Sequence, residues 1–301
     1  MEEQEWLAER FEEHRAHLRA VAYRMLGSLT EADDAVQDSW LRLSRSGASE
    51  VENLGGWLTT VVARVCLNLL RSRNLRREDF FGVNLPDPVI SSGGELQPEE
   101  EALLADSVGL ALLVVLDTLA PAERLAFVLH DTFELPFEEI GPMIGRTPVA
   151  ARQLASRARR RVKGAAVPAP DADLARQREV VDAFFLATRG GDFEALVALL
   201  DPEVVVRIDA GARHPTASME IRGSVAVARQ ALRGFTSVLA LPTARLRPAL
   251  VNGAAGVILT IRGRPMTVVG FTVADGKIVE IDSIADPARV RRIVAAVLTE
   301  E

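Results

Sequence analysis

The stretch LPFEEIGPMIGRTPVAARQLASRARRRVK, residues 135–163, decides the class of protein that this sequence encodes. Its first third predicts a short helix, in which Pro142 is expected to introduce a kink or an early end. Gly145 predicts the turn that follows, Thr147 can cap the next helix, and Pro148 suits its first position. A short helix, a glycine turn and a basic helix form the helix-turn-helix layout, in which the second helix enters the major groove of DNA.

The second helix of this motif carries a local positive charge on an acidic chain. Residues 146–163 hold seven basic side chains and no acidic one, although the whole chain has a net charge of −7. Such a cluster is enough to bind phosphates, because salt screens charges beyond about 8–10 Å. Arg152, Gln153 and Ser156 lie nearest the helix start and are predicted to read base edges, since Arg pairs with guanine and Gln with adenine. The later arginines are predicted to hold phosphates, and the alternative is a basic helix that only faces solvent.

A helix predicted from Trp57 to Arg71 has a second face suited to nucleic acid. Apolar residues at helical spacing form its buried side, and another side carries one aromatic ring, two cations and two polar groups. This mixture suits unpaired bases, because a ring can stack on a base while guanidinium groups bind phosphates. A polar surface with a half-buried Trp57 explains the pattern equally well. The loop before this helix contains Asn53, which is either a base contact or a helix cap.

Breaks in the pattern divide the chain into five segments. The segments are helices over 1–75, an acidic inter-domain linker over 76–104, helices over 105–163, a linker over 164–173 and a mixed segment over 174–301. The last segment predicts one or two helices followed by strands. The strand-like runs are 203–208, 256–261, 266–273 and 277–284, with Asp275-Gly276 as the hairpin turn between the last two.

Composition limits the setting in which the chain works. The length of 301 residues suggests two or three domains, and the hydrophobic content of 48% is enough to build packed cores. No apolar run approaches the ~18–20 residues of a membrane span, and the charged N-terminus is unlike a secretory signal. The single cysteine, Cys66, forms no intramolecular disulfide. These features predict a cytoplasmic protein.

The C-terminal segment offers few groups for catalysis. A helix followed by a curved antiparallel sheet predicts a cone-like α+β fold that encloses a pocket, and such folds include both enzymes and binding domains. Asp209 and His214 are the close candidates for acid and base, joined by Asp282 or Asp286. These residues do not converge in the sequence as general acid–base catalysis requires, so we predict no catalytic residue, cofactor or metal.

Three stretches resemble conserved regions of the extracytoplasmic-function (group IV) sigma factors of bacterial RNA polymerase. Residues 31–42, EADDAVQDSWLR, resemble the second conserved region, and residues 57–71, WLTTVVARVCLNLLR, resemble the helix that the family uses on the minus-10 promoter element. Residues 127–131 and 150–159, FVLHD and AARQLASRAR, resemble the fourth region, which reads the minus-35 element. In order and spacing these matches fit the family over about residues 8–163.

The resemblance implies an alternative sigma factor that binds the β and β′ subunits of core RNA polymerase and directs initiation at promoter DNA. The implied contacts with core polymerase are Asp34, Gln37, Asp38, Trp40 and Arg42. The implied minus-10 contacts are Asn53, Trp57, Thr60, Arg64, Asn68 and Arg71. The implied minus-35 contacts are Arg146, Thr147, Arg152, Gln153, Ser156, Arg157, Arg159, Arg160 and Lys163.

The whole chain resembles the subgroup that carries a SnoaL-like, NTF2-type domain at its C-terminus. Residues 84–88, NLPDP, are similar to that subgroup's Trp-Leu-Pro-Glu-Pro linker motif, with asparagine in place of tryptophan. Residues 209–213, DAGAR, are similar to its Asp-Gly-Gly-Gly-Lys motif, and residues 285–289, ADPAR, share only the proline of its Asn-Pro-Asp-Lys-Leu motif. The implied fold is therefore multi-domain, with two all-α sigma domains, the second containing the helix-turn-helix, followed by an α+β cone-like domain.

We expect the C-terminal domain to act as an in-cis regulator that holds the two DNA-binding domains in a closed arrangement. The predicted regulatory interface is Leu85, Pro86, Asp87, Pro88, Asp209, Arg213 and Asp286, with Arg213 facing the acidic N-terminal block. Two alternatives stay open. In the first, the chain is a one-component regulator that binds an operator without polymerase and senses a small ligand in the pocket. In the second, it is a SnoaL-like enzyme with an N-terminal control region. The sequence leaves open whether an anti-sigma protein exists.

Overall fold

A computed structural model of the chain describes residues 2–46, 53–77, 83–91, 110–165, 170–211, 214 and 217–298. The described residues form two compact units. The first unit contains the described helices of residues 2–77 and 112–165, and the second contains residues 83–91, 110–111 and 170–298. Within these described parts, no helix is both long and apolar enough to cross a membrane.

The first unit begins with three helices that pack on one another: α1 (Glu2–Leu26), α2 (Leu29–Ser46) and α3 (Leu54–Arg77). Gly27 has a φ of +66°, a conformation that glycine adopts without strain, and it ends α1 so that α2 can turn back. The ring of Phe11 on α1 lies 5.2 Å from the ring of Trp40 on α2. The helices predicted in this part of the sequence are therefore present, and Trp40 helps to hold two of them together.

The same unit continues with α4 (Leu110–Asp117), whose first two residues belong to the second unit, and with α5 (Pro121–Phe127), α6 (Phe137–Ile144) and α7 (Pro148–Gly164). Directly after α5, residues Val128–Thr132 widen into a π-helical turn, which the sequence did not indicate. Gly145, with a φ of +68°, ends α6, and Pro142 stays inside that eight-residue helix. The predicted helix-turn-helix is thus formed by α6, the Gly145 turn and α7.

The second unit is built on a seven-stranded sheet with the order β1-β4-β5-β6-β7-β2-β3. Its strands are β1 (Ile90–Ser91), β2 (Leu200–Asp209), β3 (Met219–Arg222), β4 (Ala244–Val251), β5 (Ala254–Ile261), β6 (Arg264–Ala274) and β7 (Lys277–Ile284). The β2–β7 pair is parallel and the other pairs are antiparallel, so the sheet is mixed and the prediction of a purely antiparallel sheet was wrong. Strand β1 comes from the predicted linker and pairs Ile90 with Val251 of β4.

Three helices cover one face of this sheet: α8 (Leu174–Gly190), α9 (Phe193–Leu199) and α10 (Ser224–Leu239). Phe184 and Phe185 of α8 meet Phe271 of β6 edge to face, at centroid distances of 5.7 and 5.8 Å, in the centre of the apolar core. Two short helices, α11 (Pro287–Ile293) and α12 (Ala295–Leu298), follow the last strand. Helices packed into the concave side of a curved sheet give the cone-like α+β fold that the sequence predicted.

Tight turns join the last four strands. Asn252-Gly253, Arg262-Gly263 and Asp275-Gly276 all have positive φ at both residues, as two-residue hairpin turns of type I′ require. Of these three turns, only the last was predicted from the sequence. The four predicted strand runs lie within β2, β5, β6 and β7, whereas β1, β3, β4 and helix α10 were not predicted.

Candidate nucleic-acid interfaces and the linker contact

The predicted recognition helix α7 is built as the sequence indicated. The hydroxyl oxygen of Thr147 accepts a hydrogen bond from the backbone N–H of Ala150 at 3.3 Å, so Thr147 is the helix cap. Three alanines at helical spacing are buried and fix which side of α7 faces inward: Ala151, Ala155 and Ala158. The predicted minus-35 residues that remain exposed to solvent are Arg146, Thr147, Arg152, Gln153, Ser156, Arg157, Arg160 and Lys163.

Two of the predicted phosphate-binding arginines are engaged within the protein. Arg159, which is half-buried, forms an ion pair with Asp131. Arg157 lies 3.5 Å from Glu123, whose side chain is 8% exposed, and Arg161 lies 3.0 Å from the same carboxylate. Glu123 and Asp131 therefore pair with arginines on the basic side of α7. Sequence reasoning did not identify either acid.

The predicted minus-10 face of α3 lies partly against the helix-turn-helix. Trp57 and Thr60 are half-buried, and Asn68 is exposed. A shallow hollow of about 310 Å³ has residues of α3 on one side and residues of α6 on the other. Its lining consists of Asn53, Gly56, Trp57, Thr60, Arg64, Glu139, Pro142 and Met143. The side of α6 that completes the hollow was not foreseen.

Two polar side chains of this face already have hydrogen-bond partners. The side-chain oxygen of Asn53 accepts from the backbone N–H of Gly56 at 3.0 Å, which is the geometry of a helix cap. The hydroxyl of Thr60 donates to the carbonyl of Gly56 at 2.9 Å. Of the two roles considered for Asn53, the structure therefore shows the cap. Arg64 and Arg71 are exposed on the same helix.

A buried arginine joins the N-terminal helices to the helix-turn-helix module. Arg124 on α5 is 1% exposed, and its guanidinium donates twice to the backbone carbonyl of Arg24 at the end of α1, at 3.1 Å each. The third contact is an ion pair of 3.0 Å with Asp117. An arginine buried with these partners fixes the contact between the two helical modules, because breaking it leaves charged and polar groups unpaired.

On the predicted core-polymerase face of α2, some side chains are exposed to solvent and others pack against the protein. Asp34, Gln37 and Arg42 are exposed, and the Arg42 guanidinium lies 2.9 Å from the carboxylate of Asp38. Trp40 is half-buried because it packs on α1. Leu41, which is 42% exposed, is a large apolar side chain on this helix that the sequence analysis did not select. Exposed apolar side chains beside charged ones are common in protein interfaces.

The predicted linker motif is bound within the second unit. The backbone N–H of Leu85 donates to the Asp209 carboxylate at 2.9 Å, and the N–H of Val89 donates to the side-chain oxygen of Asn252 at 2.6 Å. Leu85, Pro86, Asp87 and Pro88 are all buried. The sequence-predicted linker and the Asp209 loop therefore meet.

Arg289 is the residue that closes this contact, and the sequence analysis did not select it. Its guanidinium lies 2.7 Å from Asp209 and 2.5 Å from Asp87, and it also donates to the backbone carbonyl of Leu85. Asp286 caps α11 by accepting from the N–H of Arg289 at 2.8 Å, so it orients the helix that carries this arginine. When Pro287 is aligned with the proline of the Asn-Pro-Asp-Lys-Leu motif, Arg289 takes the position of the motif's lysine. That lysine was the signal in the sequence that a cation belongs at this position.

The loop after Asp209 requires glycine at one position. Gly211 has a φ of +79°, and a Cβ atom there would come within 2.2 Å of the Asp286 carboxylate. This explains why one glycine of the resembling motif is retained. Arg213, predicted to face the acidic N-terminal block, lies outside the described residues.

The candidate acid–base residues do not form one constellation. Asp209 binds the linker, and Asp286 caps a helix. Asp282 lies 3.2 Å from Arg207, which also contacts Glu280 at 3.2 Å. Burial raises the pKa of Asp282 to about 7, and Arg207 opposes this only in part. The charged groups of this cluster are thus paired with each other.

Comparison with known proteins agrees with the helical modules and with the cone-like domain. Residues 10–76 match Sigma-70 region 2, and residues 109–162 match Sigma-70 region 4. These two matches define a transcription initiation factor of the sigma-70 class.

Relatives that align over most of the chain show to which group of the sigma-70 class it belongs. The ECF RNA polymerase sigma factor SigJ of Mycobacterium tuberculosis is 38% identical over 285 residues, which cover 92% of this chain and 91% of SigJ. The probable ECF RNA polymerase sigma factor SigI of the same species is 34% identical and covers 91% of both chains. A crystal structure of SigJ covers 94% of this chain and 97% of its own, with a TM-score of 0.74 at 36% identity. The chain belongs to the extracytoplasmic-function sigma factors of RNA polymerase, which direct transcription from specific promoters.

Proposed function

We propose that the exposed face of α2 binds core RNA polymerase, that α3 reads the minus-10 element and that α7 reads the minus-35 element. We further propose that the cone-like domain regulates these contacts within the same chain through the bound linker. The observation that carries the second proposal is the contact of Arg289 with Asp87, Asp209 and the carbonyl of Leu85.

The two promoter-reading surfaces are too close together for simultaneous use. The minus-10 and minus-35 elements lie roughly 25 base pairs apart, which is about 85 Å along B-form DNA at 3.4 Å per base pair. In the first unit, by contrast, α3 and α6 line the same hollow, and Arg124 joins α5 to α1. Promoter binding therefore requires these helical modules to separate.

The linker is a suitable element for controlling that separation, because it is the covalent connection between α3 and α4. Residues 83–91 of the linker are bound by the cone-like domain through side chains and through strand pairing with β4. A domain in the same chain acts at high effective concentration, so a modest interface is enough to keep the linker bound. Regulation inside the chain also makes a separate anti-sigma protein less necessary.

The cone-like domain acts as a binding domain rather than an enzyme. Asp209 accepts from the N–H of Leu85 and pairs with Arg289, and Asp282 pairs with Arg207. Both carboxylates are buried and committed to partners within the protein, whereas a general acid or base has to reach a substrate. The enzyme alternative predicts turnover by the cone-like domain and tolerance of substitution at Asp209.

Co-elution with core polymerase and promoter-dependent RNA synthesis test the assignment of the DNA-reading faces. The variant Arg152→Ala is expected to weaken minus-35 recognition, by roughly 10- to 100-fold for a bidentate base contact, without changing co-elution. Arg233→Ala, an exposed arginine on α10, is the matched control and is expected to behave as the wild type. Equal promoter activity of the Arg152→Ala variant and the control would contradict the assignment. A one-component regulator would instead bind its operator without polymerase.

Transcription by the full chain tests the regulator. Arg289→Met is expected to raise promoter-dependent RNA synthesis with core polymerase, because the linker is no longer held. Arg291→Met, an exposed arginine on the same helix, is the control. Deletion of residues 170–301 provides a second comparison. Activity that changes in neither direction in the deletion and in Arg289→Met would exclude an in-cis regulator.

A further inference from the structure

A cavity of about 220 Å³ lies inside the cone-like domain, between helix α10 and the concave face of the sheet. Phenylalanine rings form much of its wall: Phe184, Phe185, Phe235 and Phe271. Phe185 meets Phe235 and Phe271 edge to face at centroid distances of 6.0 and 5.8 Å. Rings interlocked in this way give a preformed apolar surface that suits another flat ring.

Three polar side chains also line the cavity: Gln230, Thr267 and Ser283. They provide an amide and two hydroxyl groups, which can donate to an oxygen of a ligand. Among the described residues that line the cavity, none is charged. A charged ligand would lose its hydration without gaining a counter-charge, so the cavity favours a neutral molecule that carries a hydrogen-bonding oxygen.

The volume limits the size of that molecule. An engineered apolar cavity of about 150 Å³ in another protein binds benzene, which has six non-hydrogen atoms. By proportion, about 220 Å³ holds a molecule of about nine non-hydrogen atoms. A six-membered ring with a short oxygen-bearing substituent meets the limits of size, shape and charge together.

The cavity wall is continuous with the residues that hold the linker. Ile208 lines the cavity, and the next residue on β2 is Asp209. Ala285 also lines the cavity, and its backbone N–H donates to the carbonyl of Asp209 at 2.7 Å. The residue after Ala285 is Asp286, which caps the helix of Arg289. The two strand ends that bind the linker are therefore also walls of the cavity.

We propose that this cavity is a binding site for a compact neutral compound with one carbocyclic ring and one hydrogen-bonding oxygen. We propose in addition that a ligand in this cavity stabilises the bound linker. This second proposal rests on the regulatory function proposed above. A ligand that fits the cavity in the linker-bound structure favours that structure, because it fixes the ends of β2 and β7 where Asp209 and Ala285 hold their positions. The sigma factor would then be kept inactive by the small molecule and released when it is lost.

Calorimetry with the full-length chain tests the binding site. Acetophenone is the probe, and benzoate is the matched control, because both have one benzene ring and nine non-hydrogen atoms but benzoate carries a negative charge. Acetophenone is expected to bind with a Kd of roughly 0.1–1 mM, and benzoate is expected to bind at least about tenfold more weakly. No binding of acetophenone, or equal binding of both compounds, would overturn the proposed site.

Variants of α10 place the bound probe in the cavity. Ala231→Leu fills the cavity from a buried position, whereas Ala226→Leu makes the same change at an exposed position of the same helix. The first is expected to weaken acetophenone binding at least about tenfold and the second to leave it unchanged. Should Ala231→Leu fail to fold, Gly234→Leu serves as the filling variant, because an added Cβ there meets only Gln230 at 3.9 Å. Binding that is insensitive to the filling variant places the probe elsewhere and overturns the proposal.

Hydrogen exchange tests the link to the linker. Saturating acetophenone is expected to slow exchange of the Leu85 and Val89 amides in the wild type, and to have no effect in the filling variant. Unchanged exchange at saturation would overturn the coupling. A different result would refute the proposed regulatory function, namely unchanged transcription by Arg289→Met. That result does not depend on whether acetophenone binds.

Discussion

Replacing Arg289 by methionine removes the charge at the centre of the linker contact and keeps most of the length of the side chain. In the wild type, this guanidinium lies between two carboxylates whose side chains are only 5% and 3% exposed, those of Asp87 and Asp209. Without it, two buried negative charges face each other across the linker contact. We expect the linker to leave its site, because solvation of Asp87 relieves that repulsion.

The size of the effect follows from this burial. Removing one partner of a buried ion pair typically costs about 3–5 kcal/mol, and undocking relieves part of that cost. A loss of about 3 kcal/mol in linker docking corresponds to a factor of more than about one hundred in the docking equilibrium. Hydrogen exchange of the segment 83–91, in which the N–H groups of Leu85 and Val89 are bonded to side chains, is expected to accelerate by a similar factor.

A neighbouring arginine on α11 provides the matched control for Arg289→Met. Arg291→Met changes an exposed arginine of the same helix and is expected to leave exchange of the linker unchanged. Adding Asp87→Asn to Arg289→Met is expected to slow the exchange again, because it removes one of the two facing negative charges. If Arg289→Met exchanged its linker amides at the wild-type rate, Arg289 would not hold the linker.

Two further predictions concern the other buried charges. Arg124→Met is expected to lower the free energy of unfolding of the helical modules by about 3 kcal/mol, because the carbonyl of Arg24 and the carboxylate of Asp117 lose their buried donor. An unchanged urea midpoint would show that this arginine is not needed for the contact. Asp282 has a pKa raised from 3.8 to about 7, so the folded protein holds an extra proton between those values and loses stability as pH rises through that window. Between roughly pH 4.5 and 6.5, the free energy of unfolding of the wild type, measured by urea denaturation, is expected to fall by about 2 kcal/mol relative to that of Asp282→Asn. If the free energies of unfolding of the two proteins changed in parallel with pH, the pKa of Asp282 would not be raised.

Much of the sigma-like half of the chain could be predicted because its signals are local. Helix caps, the Gly145 turn and the spacing of Ala151 and Ala158 act within a few residues of each other, and they fix which side of α7 is exposed. The basic face of that helix follows from its composition. Boundaries were less predictable, since nothing within the stretch before Thr132 indicates the π-helical turn.

The missed features depend on residues that are distant in sequence. Arg289 lies about 200 positions from the linker that it binds, and the motif around it indicates a cation but not which distant residues that cation contacts. Strand β1 has two residues and exists because β4 offers it an edge. The Asn252-Gly253 turn, by contrast, was a local hairpin signal and was overlooked. The packing of α6 against α3 depends on contacts between two modules that the sequence predicts separately.

The separation of the two helical modules on promoter binding tests the account most directly. Cysteines introduced at Glu9 and Ala165, which are exposed in the N-terminal helices and after α7, allow selective labelling with a pair of fluorophores. The natural Cys66 is buried, and burial raises the pKa of its thiol to about 12, so it stays unreactive. The account predicts that energy transfer falls when the labelled chain enters a complex of core polymerase and promoter, as the modules move apart by tens of ångströms toward the ~85 Å between the two elements. Promoter-dependent RNA synthesis from a complex with unchanged energy transfer would contradict it.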